Sequence, residues 1–293
     1  MRILILGASG MLGHKLWQRL PQRFPGAYAV LRGPRDSYSR FGLYDGSNVV
    51  DNVDACNLED LLRVIERIGP QVILNCIGVT KRREAHGNPL PSIMLNAMLP
   101  HRLAAWGAAS GARVINFSTD CVFDGRQGGY TEPQLTNAED LYGRTKALGE
   151  ITGADALTIR SSFIGRELLN GTELLEWFLA QQGKTISGYR HALYSGISTL
   201  RLADLVGDII SKFPHLSGLY HVASTAISKY DLLRLARDAF GADVRIQPDD
   251  SVVIKRNLNG SKFQRATGYA PPDWRTMMVE LAADPTPYAD WRK

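Results

Sequence analysis

Three glycines spaced three residues apart follow a short aliphatic run at the start of this 293-residue chain. The run Arg2–Leu6 has the composition of a parallel strand that is buried on both faces, and it is too short to span a membrane. Gly7, Gly10 and Gly13 then allow a tight turn into a helix and a close approach of the backbone to a pyrophosphate. Because they stand between a strand and a helical pattern, they predict a dinucleotide-binding turn; the alternative is that they only pack helix on strand.

Strand and helix patterns alternate through the first half of the chain. The strand candidates are Arg2–Leu6, Tyr28–Leu31, Val49–Asp51, Gln71–Cys76, Arg113–Ser118 and Ala156–Arg160. The helical patterns are Met11–Leu20, Leu58–Ile68 and Ile93–Ser110. Strands separated by helices of this length predict right-handed crossovers and an α/β fold with a doubly wound parallel sheet of the Rossmann type. Such sheets bind their ligands at the carboxyl ends of the strands.

Composition and charge exclude several other classes of protein. Gly7 interrupts the N-terminal run after about four apolar residues, too few for a signal peptide, and no stretch approaches the roughly 18 apolar residues of a membrane helix. The net charge is +5, but the basic run is only Lys81-Arg82-Arg83, which disfavours nucleic-acid binding. The widely spaced Cys56, Cys76 and Cys121 argue against disulfides and a metal site. We therefore expect a cytoplasmic protein with no metal and no membrane or nucleic-acid partner.

The end of the second predicted strand bears on the choice between NADPH and NADH. An acidic residue there would hydrogen-bond a ribose 2′-hydroxyl, whereas an arginine would accommodate a 2′-phosphate. Here the strand ends at Arg32, with Arg35 close behind and no acid in place. The sequence therefore favours NADPH as the cofactor over NADH; the alternative is that both arginines are solvated loop charges.

A tyrosine and a lysine four residues apart indicate proton-transfer chemistry. Tyr142 and Lys146 would share one face of a helix and would contact the same ligand. A lysine ammonium at that spacing lowers the pKa of a tyrosine phenol, normally about 10, towards the range in which the tyrosine exchanges a proton. The pair alone is common by chance, but it gains weight behind a glycine turn and an "STD" sequence that contains Thr119.

Further motifs surround this pair. They are Ser118-Thr119-Asp120-Cys121-Val122-Phe123-Asp124-Gly125, Tyr130-x-Glu132, Tyr142-Gly143-x-x-Lys146 and Gly149-Glu150, with looser matches at Asn75-Cys76-Ile77-Gly78, Asn96, Arg160-Ser161-Ser162-Phe163 and Trp274. The pattern resembles that of the dTDP-4-dehydrorhamnose reductase family, the sugar-nucleotide 4-keto reductases of the extended short-chain dehydrogenase/reductase superfamily. The resemblance covers nearly all of the chain and is strongest over residues 1–165.

The resemblance implies NADPH-dependent reduction of a nucleotide-linked 4-keto-6-deoxy sugar, a step of deoxysugar and cell-surface polysaccharide biosynthesis. It makes Tyr142 the general acid, Lys146 its partner and a ligand of the nicotinamide ribose, and Thr119 the hydroxyl that hydrogen-bonds the reacting oxygen. A monomer or a homodimer is expected. Two alternatives stay open at this point: a nucleotide-sugar epimerase or epimerase-reductase, and a non-catalytic NADP-binding subunit that keeps only the fold.

The resemblance also implies which residues bind the two ligands. The predicted cofactor contacts are Gly7, Gly10, Met11, Leu12, Gly13, Arg32, Asp54, Ala55, Cys76, Ile77, Gly78, Tyr142 and Lys146. The predicted substrate contacts are Lys81, Thr119, Asp120, Cys121, Phe163, Arg166, Tyr189 and Arg256, with Arg82 and Arg190 as further candidates. For Asp54 the alternative is a helix cap near Asn57, and for the substrate candidates it is an ordinary surface charge or a packed aromatic ring.

Cys121 is the clearest departure from the reductase pattern, in which an aromatic residue usually stands there. Dehydrating relatives carry glutamate at this position, so dehydratase activity is disfavoured. A cysteine two residues after Thr119 resembles the arrangement in GDP-fucose synthase, where the thiol epimerises a carbon beside the ketone. If the strand continued, Cys121 would point to the same side as Thr119, and His191 is a candidate partner. Inert filling of space is the favoured reading.

The second half of the chain is expected to determine the substrate. The stretches "GREL", "GKTISGYRHALYSGIS" and "LYHVASTAISKYDLL" read as loops and short helices that roof the cleft. We expect residues 1–163 to form the NADP-binding domain, with about 196–222 returning to it. Residues 164–293 would then form a smaller, discontinuous substrate-binding domain.

Overall fold

The computed structural model describes residues 1–81 and 88–292. The strands are β1 (Arg2–Leu6), β2 (Gly26–Val30), β3 (Val49–Val50), β4 (Val72–Asn75), β5 (Arg113–Ser118), β6 (Ala156–Arg160), β7 (Phe163–Ile164), β8 (Lys184–Tyr194), β9 (Ile197–Ser198), β10 (Gly218–His221), β11 (Ile227–Ser228) and β12 (Val244–Lys255). The helices are α1 (Gly13–Arg19), α2 (Leu58–Ile68), α3 (Leu90–Ser92), α4 (Leu99–Ser110), α5 (Leu141–Leu148), α6 (Leu174–Leu179), α7 (Thr199–Lys212), α8 (Lys229–Phe240), α9 (Ser261–Thr267) and α10 (Trp274–Ala282).

The main sheet is parallel and covered on both faces. Within the described residues it has seven strands in the order β10-β6-β5-β4-β1-β2-β3. Alternate residues of β1 enter different cores: Ile3 and Ile5 pack with α1 and α7 on one face, and Leu4 and Leu6 pack with α2 and α4 on the other. A sheet that is covered on both faces needs apolar side chains on both, which explains the aliphatic strands. The predicted doubly wound parallel sheet is therefore confirmed.

Local sequence signals placed the six predicted strands, β1 to β6, to within two residues. The predicted bounds of β1, β5, β6 and α2 match the structure, and those of β2, β3 and β4 differ by one or two residues at an end. The helix predicted over residues 93–110 begins earlier, at Leu90, and its stretch Ile93–Met98 is π-helical. Pro100 has no N–H to donate to the carbonyl of Asn96, four residues before it. Gly149 packs there: a Cβ on Gly149 would lie 1.8 Å from the carbonyl oxygen of Asn96.

A smaller sheet corrects the interpretation of residues 183–198 as loops and short helices. Residues Lys184–Tyr194 form β8, the central strand of a three-stranded sheet in the order β11-β8-β12. β12 runs parallel to β8 and β11 antiparallel to it. The prediction was wrong because only Gly188 and Ala192 of β8 are buried, so the strand lacks the alternating apolar pattern that reveals a strand.

Two elements from the second half of the chain, β10 and α7, belong to the main sheet and its helical layer. β10 pairs with β6 at the edge of the sheet, and α7 packs against α1. The core on this face continues without interruption into α8 and α10, through Leu232 and Met277. In the parts of the chain that are described, no helix is both long enough and apolar enough to cross a membrane.

Candidate active site

A cleft of about 590 Å³ opens at the carboxyl ends of β1, β4, β5 and β6 and is roofed by β8 and β12. Fifteen of the predicted site residues line it: Gly10, Met11, Leu12, Cys76, Ile77, Gly78, Lys81, Thr119, Asp120, Cys121, Tyr142, Lys146, Phe163, Tyr189 and Arg256. This is the edge at which parallel sheets bind ligands, because the strand ends and the loops after them converge there.

The glycine turn forms one end of the cleft. Gly7 has φ +72°, a conformation that side chains disfavour, and its carbonyl oxygen accepts a hydrogen bond from the Gly10 N–H at 3.0 Å. A Cβ on Gly13 would lie 2.1 Å from that same oxygen. The sequence therefore needs glycine at positions 7 and 13 to bring the start of α1 against the end of β1. The turn presents Gly10, Met11 and Leu12 to the cleft.

Two buried asparagines shape the loop after β4. Asn75 donates to the side-chain oxygen of Asn116 at 2.9 Å and accepts from the Ile77 N–H at 3.3 Å. Asn96 accepts from the Val79 N–H at 2.8 Å and donates to the Val79 carbonyl at 3.0 Å. The loop that carries Cys76, Ile77 and Gly78 is thus held rigidly beside the glycine turn.

Thr119, Tyr142 and Lys146 come together on the floor of the cleft. Thr119 follows β5, and Asp140 caps α5 by accepting from the Gly143 N–H at 2.8 Å. The cap places Tyr142 in the first turn of α5, where its side chain lies near Thr119 and Cys121, and it places Lys146 one turn further on. The Lys146 ammonium donates to the carbonyl of Phe117 at 2.6 Å.

Burial governs the protonation of this group. Burial raises the pKa of Tyr142, and the nearby Cys121 adds to the rise, while the Thr119 hydroxyl opposes it. The lowering of this pKa by Lys146 that the spacing led us to expect is not found in this structure. Burial also lowers the pKa of Lys146 to about 8, against the opposing charge of Glu150. Tyr142 is therefore protonated, as a proton donor must be before it acts.

Cys121 lines the cleft, but its backbone conformation differs from the predicted one. β5 ends at Ser118, and residues Asp120–Val122 form a 3₁₀ turn in which the Thr119 hydroxyl oxygen accepts from the Cys121 N–H at 3.1 Å. The expectation that Cys121 continues the strand is therefore wrong.

The surroundings of the Cys121 thiol keep it protonated. Burial raises its pKa to about 12, although Arg256 Nη1 lies 3.7 Å from Sγ. His191 is exposed and lies 3.3 Å from Asp250, so it is not the thiol's partner. The carboxylate of Asp120 also raises the pKa of the thiol, so Cys121 stays protonated in this structure.

Several predicted substrate contacts are engaged elsewhere. Arg166 lies outside the cleft lining: its Nε contacts Glu176 at 2.6 Å and its guanidinium lies 4.6 Å from the centre of the Tyr288 ring. Arg190 pairs with Asp250 on the exposed edge of the small sheet. Lys81 lines the cleft but forms an ion pair with Asp140 at 2.8 Å. Arg82 lies outside the described residues.

The remaining predicted cofactor contacts lie beyond the cleft lining. Arg32 is exposed, and its guanidinium has no hydrogen bond or ion pair within the described residues, whereas Arg35 donates to the carbonyl of Val49 at 2.7 Å. Asp54 accepts from the Cys56 N–H at 3.0 Å, and Asn57, not Asp54, caps α2. Arg32 and Asp54 both act electrostatically on Cys56, so they are neighbours.

The sequence reasoning missed five polar residues that also line the cleft: Thr80, Glu167, Glu173, Tyr194 and Lys229. Four of them lie in the second half of the chain, where no motif singled them out, and only the fold brings them to the site. Tyr194 donates to the carbonyl of Ser162 at 2.9 Å, and Glu173 raises the pKa of Tyr142. Among the residues with described positions, no group of three histidine, cysteine or acidic side chains is placed to hold a metal ion.

A family model described as the RmlD substrate binding domain matches residues 1–286. A similar curated protein is the dTDP-4-keto-6-deoxy-D-glucose reductase of Streptomyces niveus, 27% identical over 95% of this chain and 96% of its own length. The methionine adenosyltransferase 2 subunit beta of Rattus norvegicus is 32% identical, but over only 51% of this chain and 41% of its own length.

Solved structures support the fold. The dTDP-4-dehydrorhamnose reductase of Bacillus anthracis, in complex with NADP, superposes with a TM-score of 0.78 over 97% of this chain and 99% of that one, at 21% identity. At that identity the likeness establishes the Rossmann-type architecture, and the chemistry must be argued from the residues of the cleft.

Proposed function

The chain belongs to the family described as the RmlD substrate binding domain, and from that premise we propose that it is an NADPH-dependent reductase of a nucleotide-linked 4-keto-6-deoxy sugar. The observation that carries the proposal is the meeting of Thr119, Tyr142 and Lys146 with the glycine turn in one cleft. Similar proteins that match over 95% of this chain are named as reductases of dTDP-linked keto sugars, which supports the substrate class.

The residues of the cleft fit a dinucleotide. Gly10 lines the cleft and carries no side chain, so the backbone of the turn would approach the pyrophosphate there. When bound, NADPH supplies the hydride for the ketone carbon. Lys146 would hold the nicotinamide ribose, and Arg32 is free to meet a 2′-phosphate. We also propose that residues 1–163 with about 196–222 bind the cofactor and that residues 164–293 bind the sugar nucleotide.

The protein's own part in the reaction is proton delivery and charge stabilisation. Negative charge develops on the ketone oxygen as the carbon is reduced, and the Thr119 hydroxyl would donate a hydrogen bond to that oxygen. Tyr142, protonated because it is buried, would deliver its proton to the same oxygen and form the alcohol. The Lys146 ammonium would stabilise the tyrosinate that remains.

Removal of the Tyr142 hydroxyl tests the reaction. In Tyr142→Phe we expect turnover of 4-keto-6-deoxy sugar nucleotides to fall by at least about 100-fold, the usual contribution of a general acid, while NADPH binding is kept. Turnover is followed by NADPH absorbance, and the dissociation constant for NADPH by fluorescence titration. Near-full activity of the variant would contradict the assignment of the general acid.

Two neighbouring arginines allow a controlled test of cofactor choice. Arg32→Ala should weaken NADPH binding by about 1.5–3 kcal/mol, the range for a hydrogen bond to a charged group, and leave NADH binding little changed. Arg35→Ala is the control, because its guanidinium bonds the carbonyl of Val49 and should affect both cofactors equally. Equal weakening of both cofactors by Arg32→Ala would make Arg32 a structural residue.

The purified protein also distinguishes reduction from the alternatives, which are an epimerase, an epimerase-reductase and a non-catalytic subunit. An epimerase would retain NAD(H) through purification and need no added reductant. An epimerase-reductase would place deuterium beside the reduced carbon in D₂O, and Cys121→Ser would abolish that exchange; the protonated thiol leads us to expect plain reduction. Binding of NADPH without turnover on any keto sugar nucleotide would instead support a non-catalytic subunit.

A further inference from the structure

Two buried polar residues of α1 have no part in the chemistry above. His14 is fully buried and the Lys15 side chain is 1% exposed, although both stand one or two residues after the glycine turn. Histidine and lysine are costly to bury without polar partners. Lys15 donates to the side chain of Gln18 at 2.6 Å and the His14 ring contacts the carbonyl of Gly10, but their other partners come from the far end of the chain, from the segment Asp284–Tyr288.

The sequence of that segment, Asp-Pro-Thr-Pro-Tyr, suits it to lie along a helix. Pro285 and Pro287 restrict their own backbone and disfavour helical conformation in the residues before them. Asp284, Thr286 and Tyr288, which alternate with the prolines, all turn their side chains towards α1. The segment is thus a stiff strap with three polar contacts on one side.

The strap is attached at two adjacent positions of α1. The Lys15 ammonium lies 2.5 Å from the Asp284 carboxylate and donates to the Thr286 hydroxyl oxygen at 2.9 Å. The His14 ring reaches the Tyr288 hydroxyl, with 2.6 Å between Nε2 and the oxygen. These contacts join residues more than 260 positions apart in the sequence.

The hydrogen bonds of His14 have one consistent direction. Nδ1 lies 2.9 Å from the carbonyl oxygen of Gly10, and a carbonyl only accepts, so Nδ1 carries the proton and donates it. Nε2 of the neutral ring must then accept, and the Tyr288 hydroxyl donates to it. Burial lowers the pKa of His14 to about 3, so the ring stays neutral and the direction is kept at ordinary pH.

The chain of hydrogen bonds ends at the cofactor turn. Gly10 is the middle glycine, its N–H donates to Gly7, and it lines the cleft together with Met11 and Leu12. We propose that Tyr288, acting through His14, is a positioning residue that fixes the glycine turn in the shape that binds the dinucleotide. The inference rests on the NADPH site of the proposed function, and it adds a residue from the C-terminal strap to that site.

Arg166 gives Tyr288 a fixed orientation. Its guanidinium lies on the tyrosine ring at 4.6 Å and is itself paired with the fully buried side chain of Glu176. Tyr288 is only 2% exposed and also packs edge-on against Trp291. The hydroxyl therefore has little freedom to leave His14, which is what a positioning role requires.

The test is NADPH binding to Tyr288→Phe, which removes only the hydroxyl. We expect the dissociation constant for NADPH to rise about 3- to 10-fold, the loss that corresponds to one hydrogen bond, with kcat at saturating NADPH unchanged. His14→Leu breaks the same chain and should weaken binding by a similar factor. Both changes remove the same hydrogen bond between His14 and Tyr288. The dissociation constant of the double variant for NADPH should therefore be no higher than that of the single variant that binds NADPH less tightly.

Tyr269→Phe is the matched control. Tyr269 is another tyrosine of the C-terminal region whose buried hydroxyl has no hydrogen-bond partner in the described residues, and it does not line the cleft. Its loss should leave NADPH binding unchanged.

Two outcomes would overturn the inference. One is a lowered Tm in Tyr288→Phe with NADPH binding intact at a temperature where the protein is folded, which would make the strap a structural brace only. The other is additive weakening in the double variant. Failure of the wild-type protein to bind NADPH would instead defeat the proposed function.

Discussion

Glu150, the last residue of the motif that carries Tyr142 and Lys146, should be among the most costly side chains to change, although it does not line the cleft. Its carboxylate and the Arg160 guanidinium are paired at 2.6 Å through two parallel contacts, with side-chain exposures of 9% and 4%. The same carboxylate accepts from the Ser118 hydroxyl at 2.6 Å, at the end of the strand that leads to Thr119. Arg160 in turn contacts the buried ring of His221 at 3.1 Å.

The substitution Glu150→Gln keeps the shape and removes the charge. It leaves the buried guanidinium of Arg160 without its anion, and breaking a buried pair in this way costs about 3–5 kcal/mol. At about 2–4 °C per kcal/mol for a chain of this class, the Tm should fall by roughly 10 °C. Glu150 also raises the pKa of Lys146 against the effect of burial, so its loss should lower that pKa further below about 8.

An exposed pair of the same residue types provides the control. Glu59 and Arg63 of α2 lie 2.5 Å apart with side-chain exposures of 77% and 65%. A pair of this kind is worth only about 0.3–0.5 kcal/mol, so Glu59→Gln should change the free energy of unfolding by no more than that. Urea unfolding of both variants measures the difference. A loss in Glu150→Gln no larger than the loss in Glu59→Gln would refute the reasoning.

Three further predictions concern pH, the glycine turn and the catalytic helix. His14 and His221 stay neutral in the folded state down to about pH 3, whereas unfolded histidines titrate near pH 6.5. Between these pH values the unfolded state therefore binds more protons than the folded state. As the pH drops, the free energy of unfolding should fall by about 1.4 kcal/mol per pH unit for each histidine. Urea unfolding at several pH values measures this slope, and no slope would be seen if the rings were already charged in the folded protein. Gly13→Ala would force a Cβ to within 2.1 Å of the Gly7 carbonyl oxygen, so it should abolish NADPH binding and lower the Tm; unchanged titration and melting curves would disprove the close packing. Asp140→Ala removes the cap of α5 and should cost about 1 kcal/mol in urea unfolding together with a loss of turnover, and full activity would show that the cap does not position Tyr142.

The amino-acid sequence by itself determined the features that depend on near neighbours. The strand β1, the glycine turn and the helix α2 could be predicted because aliphatic runs, glycine conformation and helix-ending residues act within a few positions of the chain. Tyr142 and Lys146 could be paired for the same reason, since four residues make one turn of helix. Thr119 was added to this pair by the resemblance to the dTDP-4-dehydrorhamnose reductase family, not by the spacing of residues.

Only the tertiary structure decided the features that depend on distant residues. β8 was missed because its neighbours, not its own pattern, make it a strand, and only Gly188 and Ala192 of it are buried. Arg166 was assigned to the substrate because its sequence context cannot show that Glu176 and the Tyr288 ring already hold its guanidinium. The contact between His14 and Tyr288 spans nearly the whole chain, and no local pattern specifies such a partner. A polar side chain is directed by whichever buried group completes its hydrogen bonds, and that group is known only when the chain is folded.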